Sequence, residues 1–270
     1  MRKTNVIIAI FIAIVLIALA VVLLTCTVFV VRHIEVEGNV ASALIQEERI
    51  VDASGISIGN SIISINKAKV KSSIEKENPY IEVIFVEREF PNTIIIKVTV
   101  RTAIMAIPVG EGDVYAVVDS GLKVLELVPA ERVGQVSSTV ISGAVIAAET
   151  PTDIVGTDIP YDEDASMKLL HDLAVASDDP NLDLSGVSFR TFFKSIEISQ
   201  TQGGFVAYIR TNTGVKLVID TSLTTDVYTQ LSLCMFVYNS NEVNVDKTSG
   251  YIALDKNSTV VAYKWLENLN

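Results

Sequence analysis

Residues 86–94 read Val86-Glu87-Arg88-Glu89-Phe90-Pro91-Asn92-Thr93-Ile94, a charged, alternating run that breaks around a proline and resumes as β-branched chain. Upstream, Ile81 to Glu89 is rich in strand-forming residues. Downstream, Thr93 to Arg101 sets Ile94, Ile96, Val98 and Val100 two apart, the period of a strand with one buried face. Pro91 fixes its own φ and has no N–H for a ladder, so the pattern predicts two strands joined through Phe90-Pro91-Asn92. Phe90 is expected to cover the end of the sheet and Arg88 to alternate outward.

Working backward, His33-Ile34-Glu35-Val36-Glu37-Gly38-Asn39 alternates apolar and charged residues and closes in turn formers, which predicts a strand with one wet face. Ser42 is expected to cap a helix from Ala43 to about Ser54, stopped by Gly55. The run Gly55-Ile56-Ser57-Ile58-Gly59-Asn60 reads as a loop. Asn66 should then cap a short second helix that carries Val70 and Ile74 on one face and ends before Pro79. The predicted order is β-α-α-β-β.

Farther back still, the 26 residues from Val6 to Val31 carry no charge, more than the roughly 20 needed to span hydrocarbon. A cleaved leader has a shorter apolar core that ends at small residues. Here Ala18-Leu19-Ala20 is followed by Val21-Val22-Leu23-Leu24, so the span is expected to stay in the protein. Arg2 and Lys3 precede it, which predicts a cytoplasmic N-terminus with everything beyond the span extracytoplasmic. Of the chain's 21 basic and 32 acidic side chains, 19 and 32 lie beyond Lys3, a formal −13 that argues against nucleic acid and anionic headgroups as broad partners.

Past Arg101 the chain turns richer in Val, Thr, Gly and Asp. Val114 to Leu125 predicts a hairpin whose turn chemistry comes from Asp119-Ser120-Gly121. A helix is expected from about Asp162 to Ala176, with Asp162, Glu163 and Asp164 at its positive end. Strands are expected near Lys194–Ser199, Phe205–Arg210 and Val215–Ile219, then a mostly buried helix from Leu223 to Tyr238. A final hairpin should join Tyr251–Leu254 to Thr259–Trp265 through Asp255-Lys256-Asn257-Ser258. The expected fold is thus α+β: an N-terminal transmembrane helix, a β-α-α-β-β domain and a β-rich mixed α/β domain.

Val36-Glu37-Gly38-Asn39, the segment from Gly55 to Ile65 and the run from Val86 to Ile94 together resemble a POTRA domain of the FtsQ/DivIB family of bacterial cell-division proteins. The hairpin around Asp119-Ser120-Gly121 and the segment Val140-Ile141-Ser142-Gly143 resemble parts of that family's β domain. The resemblance implies a cytoplasmic tail at 1–5, a transmembrane helix at 6–31, a POTRA domain at 32–102 and a β domain at 103–270. It also implies a non-enzymatic scaffold at the division septum that docks DivIC/FtsB-like and FtsL-like coiled-coil proteins along its terminal strands. Carried over by position, the contact set is Tyr251, Leu254, Val260, Val261, Ala262, Tyr263 and Trp265. The chain departs from the family pattern at Val218-Ile219-Asp220, where a glycine is usual, and lacks a glycine before Trp265.

The residues read alone point the same way, because no catalytic constellation is present. His33 and His171 are the only histidines, and neither sits near a nucleophile elbow or a metal-spaced partner. His33 is expected at the membrane exit and His171 on a helix surface. The acids Asp158, Asp162, Glu163, Asp164, Asp178 and Asp179 lack the calcium-loop pattern and read as helix caps and wet surface. Gly110-Glu111-Gly112 and Gly203-Gly204 are not phosphate loops, and Asn257-Ser258-Thr259 reads as turn chemistry rather than a glycosylation site. Cys26 and Cys234 fall in a span and an apolar helix and are not expected to pair. No cofactor, metal, nucleic acid or small-molecule substrate is expected. Lys67, Lys69 and Lys71 crowd a helix start and are expected to be a solvated face balanced by Glu75 and Glu77, with a patch for an acidic partner as the alternative. Two other classes compete: a POTRA protein of secretion or envelope assembly, which would normally repeat the domain or add a barrel, and a membrane-anchored hydrolase, which would need a polar pocket.

Overall fold

The computed structural model describes residues 2–38, 47–136, 139–148, 150–182, 188–240, 248–254 and 261–264. The chain divides into two compact units, Met1–Arg101 and Thr102–Asn270.

The first unit opens with α1 (Arg2–Thr27), which is 26 residues long. Its described side chains, Ile8, Ile10 to Leu23 and Thr27, are all exposed. Among the described residues no helix is long and apolar enough to cross a membrane. Strand β1 (His33–Gly38), helices α2 (Glu47–Ser54) and α3 (Lys67–Glu77), and strands β2 (Ile81–Glu89) and β3 (Thr93–Val100) follow, so the β-α-α-β-β order is present. The sheet order is β1-β3-β2, with β1 parallel and β2 antiparallel to β3. Ile50, Ile62, Ile74, Ile81, Ile94 and Ile96 fill the core between helices and sheet.

Several local expectations hold. Asn66 accepts the Lys69 N–H at 3.1 Å as the α3 cap, and Gly55 stops α2 at φ +66°. The expected cap at Ser42 and the helix start at Ala43 lie outside the described residues. Phe90 is exposed at the turn and meets the Phe29 ring edge-on at 5.8 Å. Two charges behave differently from the reading above. The Arg88 guanidinium donates to the Ile65 carbonyl at 2.6 Å, so it tethers the loop before α3 instead of pointing only outward. Glu75 is buried, accepts the Val83 N–H at 2.9 Å beside a bulge in β2, and lies 3.3 Å from Arg101. It braces helix to sheet. Its 3.7 Å approach to exposed Lys71 is the weaker partnership.

In the second unit, β4 (Met105–Val109), β5 (Val114–Val118), β6 (Val124–Pro129), β7 (Thr139–Ser142), β8 (Phe193–Thr201), β9 (Gly204–Thr211), β10 (Lys216–Asp220), β11 (Tyr251–Leu254) and β12 (Val261–Lys264) form one mixed sheet. Its order is β12-β11-β10-β9-β8-β7-β4-β5-β6. Single-turn α4 (Val133–Val136) and α6 (Phe189–Phe192) and the longer α5 (Ala165–Asp178) and α7 (Val227–Asn239) complete it. The core joins α5 and α7 to the sheet through Leu170, Leu173, Leu231 and Met235, packed with Ile196, Ile209 and Leu217.

Both longer helices start later than the sequence suggests. Asp164 accepts the Ser166 and Met167 N–H groups and so becomes the cap of α5, leaving Asp162 and Glu163 ahead of the helix. Asp226 caps α7 in the same way through Thr229. Nor is α7 mostly buried: Leu231, Cys234, Met235 and Tyr238 face the core, whereas Phe236 is 73% exposed.

Candidate partner-binding edge

A sheet ends in two strands with unpaired backbone groups, and these two ends are built differently. At β6, the strand's first residue and the two just ahead of it are already occupied. Val124 donates to Thr157 O and accepts from Gly156, Ile159 donates to Leu122 O, and buried Lys123 binds Asp158 at 3.0 Å. The Asp119 carboxylate accepts the Gly121 and Lys123 N–H groups and fixes the preceding turn. The start of that edge is blunted by its own chain.

At β12 no such cover exists among the described residues. β12 pairs antiparallel with β11 in the register Tyr251↔Lys264, Ile252↔Tyr263, Ala253↔Ala262 and Leu254↔Val261. β11 in turn lies parallel to β10. Of the expected contact set, Tyr251 and Leu254 are half-buried in β11. Val261, Ala262 and Tyr263 are brought together in β12, with Tyr263 at the register position opposite fully buried Ile252. Val260 and Trp265 lie outside the described residues, as does the Asn257-Ser258-Thr259 turn.

Helix α7 supports this end of the sheet. Gln230 accepts the Asp220 N–H at 2.9 Å and donates to the Asp220 and Thr225 carbonyls at 2.9 and 2.7 Å, locking the helix start to the end of β10. Cys234 is a buried free thiol 3.8 Å from the Ile252 carbonyl, and burial pushes its pKa up to about 12. Phe236 and the partly exposed Tyr228 present aromatic surface on the same helix. The sequence reading missed both, although the stripe Leu231, Cys234, Met235, Tyr238 at three, four and seven residues already leaves Phe236 off the core face.

The polar groups that could have signalled chemistry are otherwise engaged. His171 is not a free surface residue: its ring stacks on Tyr161 at 3.8 Å, and its buried Nδ1 lies 3.5 Å from Asp172 without hydrogen-bond geometry. Asp158 pairs with Lys123, Asp164 caps α5 and Asp179 binds the Asn181 backbone and side chain. Among the described residues no group of three His, Cys, Asp or Glu is placed to hold a metal ion.

A β-α-α-β-β unit followed by one large mixed sheet defines a POTRA-type protein, and residues 29–101 match the POTRA domain of the FtsQ type. Over 175 residues the chain is 28% identical to the cell division protein DivIB of Clostridium acetobutylicum, an alignment that covers 62% of this chain and 65% of that protein. Both likenesses support the FtsQ/DivIB family.

Proposed function

We propose that this chain is a non-enzymatic scaffold of the bacterial division machinery that recruits DivIC/FtsB-like and FtsL-like coiled-coil proteins by adding a partner strand to β12. The observation that carries the proposal is the asymmetry of the large sheet, blunted at the start of β6 and open along β12 among the described residues. Strand addition takes its affinity from backbone groups and its specificity from alternate side chains. Tyr251, Leu254, Val260, Val261, Ala262, Tyr263 and Trp265 are the proposed contact set, with Phe236 as an added aromatic anchor on the supporting helix.

The same proposal places residues 6–31 in the cell membrane as a single pass, with 1–5 cytoplasmic, and a POTRA domain at 32–102 and β domain at 103–270 outside the cytoplasm at the septum. A helix whose side chains from Ile10 to Leu23 are apolar and exposed on every face suits lipid better than water. Alkaline carbonate should leave the chain in the membrane fraction, and its release would refute the anchor. For the docking edge, the DivIC-like partner should be captured by the intact chain and lost on truncation after Asn257. Unchanged capture by a truncated chain that keeps its circular dichroism would sink the β12 reading.

A further inference from the structure

Among the described residues, the first unit has an open sheet edge of its own, with a cleft beside it. In the order β1-β3-β2, strand β2 is bulged between Val83 and Phe85, and its Val83 N–H is taken by Glu75. β1 is regular and pairs only with β3 among the described residues. Just ahead of it, Phe29 and Val31 bond with Gly59, Asn60 and Ile62, including an antiparallel bridge between Val30 and Ser61. Among the described residues that cover stops where β1 begins, and from there β1 and α2 flank a cleft of about 690 Å³.

The cleft has a two-part chemistry. Ile34, Val36 and Val51 supply apolar surface, and the carboxylates of Glu35, Glu37, Glu47, Glu48 and Asp52 surround it. Glu47 and Glu48 stand in the first turn of α2, where the helix dipole favours acids, but Glu35, Glu37 and Asp52 have no such local reason. Alternate residues of β1 are half-buried against the core and exposed, Ile34 and Val36 in the first set and Glu35 and Glu37 in the second. Cations lie close by in sequence, Arg32 ahead of β1 and Arg49 on α2, yet neither lines the cleft.

We propose that this cleft binds an extended polypeptide segment of alternating apolar and basic residues, which adds to the free edge of β1. Its backbone would continue the sheet. Its apolar side chains would lie on Ile34, Val36 and Val51, and its basic side chains would stand across from Glu35 and Glu37, where opposite charges on neighbouring strands attract. Charge complementarity selects this occupant: five carboxylates around an apolar floor disfavour an acidic segment or an anionic lipid surface.

The test uses the full chain in nanodiscs and a fluorescently labelled, end-capped hexapeptide alternating lysine and valine, matched to the six residues of β1. Binding should raise the anisotropy of the peptide and slow amide exchange in residues 33–38. The Glu35→Lys, Glu37→Lys chain should bind at least about tenfold more weakly, as should a peptide of the same sequence methylated at alternate backbone nitrogens. A glutamate-valine peptide should not bind. The proposal is overturned by no binding up to about 1 mM, by equal binding of the glutamate-valine peptide, or by protection away from β1. Equal binding of the methylated peptide to the unaltered chain also overturns it, because charge attraction alone would then suffice; this arm stands even if the double variant misfolds.

Discussion

Gly38 and Gly143 each end a strand at a point where the neighbouring strand leaves no room for a side chain. Gly38 sits at φ +133° and Gly143 at φ +78°, and a Cβ at either would collide with a carbonyl, that of Val98 in the first case and Ile198 in the second. Both belong to segments that drew the family resemblance, so those glycines have a steric reason in this fold. Gly143→Ala should cost about 2–4 kcal/mol, read as a lower urea midpoint with an unchanged slope. Cys234 gives a second prediction at this scale. A buried thiol with its pKa pushed up to about 12 carries almost no thiolate at neutral pH. Iodoacetamide at pH 8 should therefore leave the Cys234 peptide unmodified in the folded chain and label it fully in denaturant, as mass spectrometry would show.

At the scale of elements, capping decides where helices begin. The Ser166 hydroxyl, with the Met167 and Ser166 N–H groups, holds the Asp164 carboxyl below its ordinary value, while burial opposes them less strongly than the hydroxyl and more strongly than either N–H. A carboxylate depressed in the folded state stabilises above its unfolded pKa of roughly 3.9 and loses that contribution as pH falls through the folded value. Asp164→Ala should therefore cost about 1 kcal/mol near pH 7. The gap between variant and wild type should stay constant down to about pH 5 and close below about pH 4, as urea titrations at several pH values would report. The caps were written in the sequence as Asp164 and Asp226, but runs of acids and serines around them blurred which residue would act. The alternating strands β1, β3 and β9 were legible, because one wet face leaves a period of two. Strand β4 was not: every residue from Met105 to Val109 is buried, which erases the alternation, and Pro108 argues against a central strand. It is accommodated because β7 pairs only with Met105 and Ala106, short of the proline. The edge itself was readable as a terminal hairpin, whereas the blunting of β6 depends on residues 156–159, far away in sequence, and left no local trace.

For the whole molecule, two separate cores predict two separable losses of structure. Glu75 belongs only to the first, where it joins Arg101 and the Val83 N–H. Glu75→Ala strips the Val83 N–H of its acceptor and the half-buried Arg101, which still donates to the Ile81 carbonyl, of its carboxylate, and should cost about 2 kcal/mol. Hydrogen exchange should accelerate across residues 81–100 and stay unchanged across 193–220, and equal acceleration in both would mean that the units unfold as one. The open end of the large sheet has a further consequence. A closed barrel ties strand number, tilt and stagger together, so any added strand reshapes the whole, but an open sheet obeys no such condition. A guest strand on β12 would lengthen the ladder and leave the strands from β10 to β6 as they were. The molecule would then register its guest as a tally mark, adding presence without passing on a message.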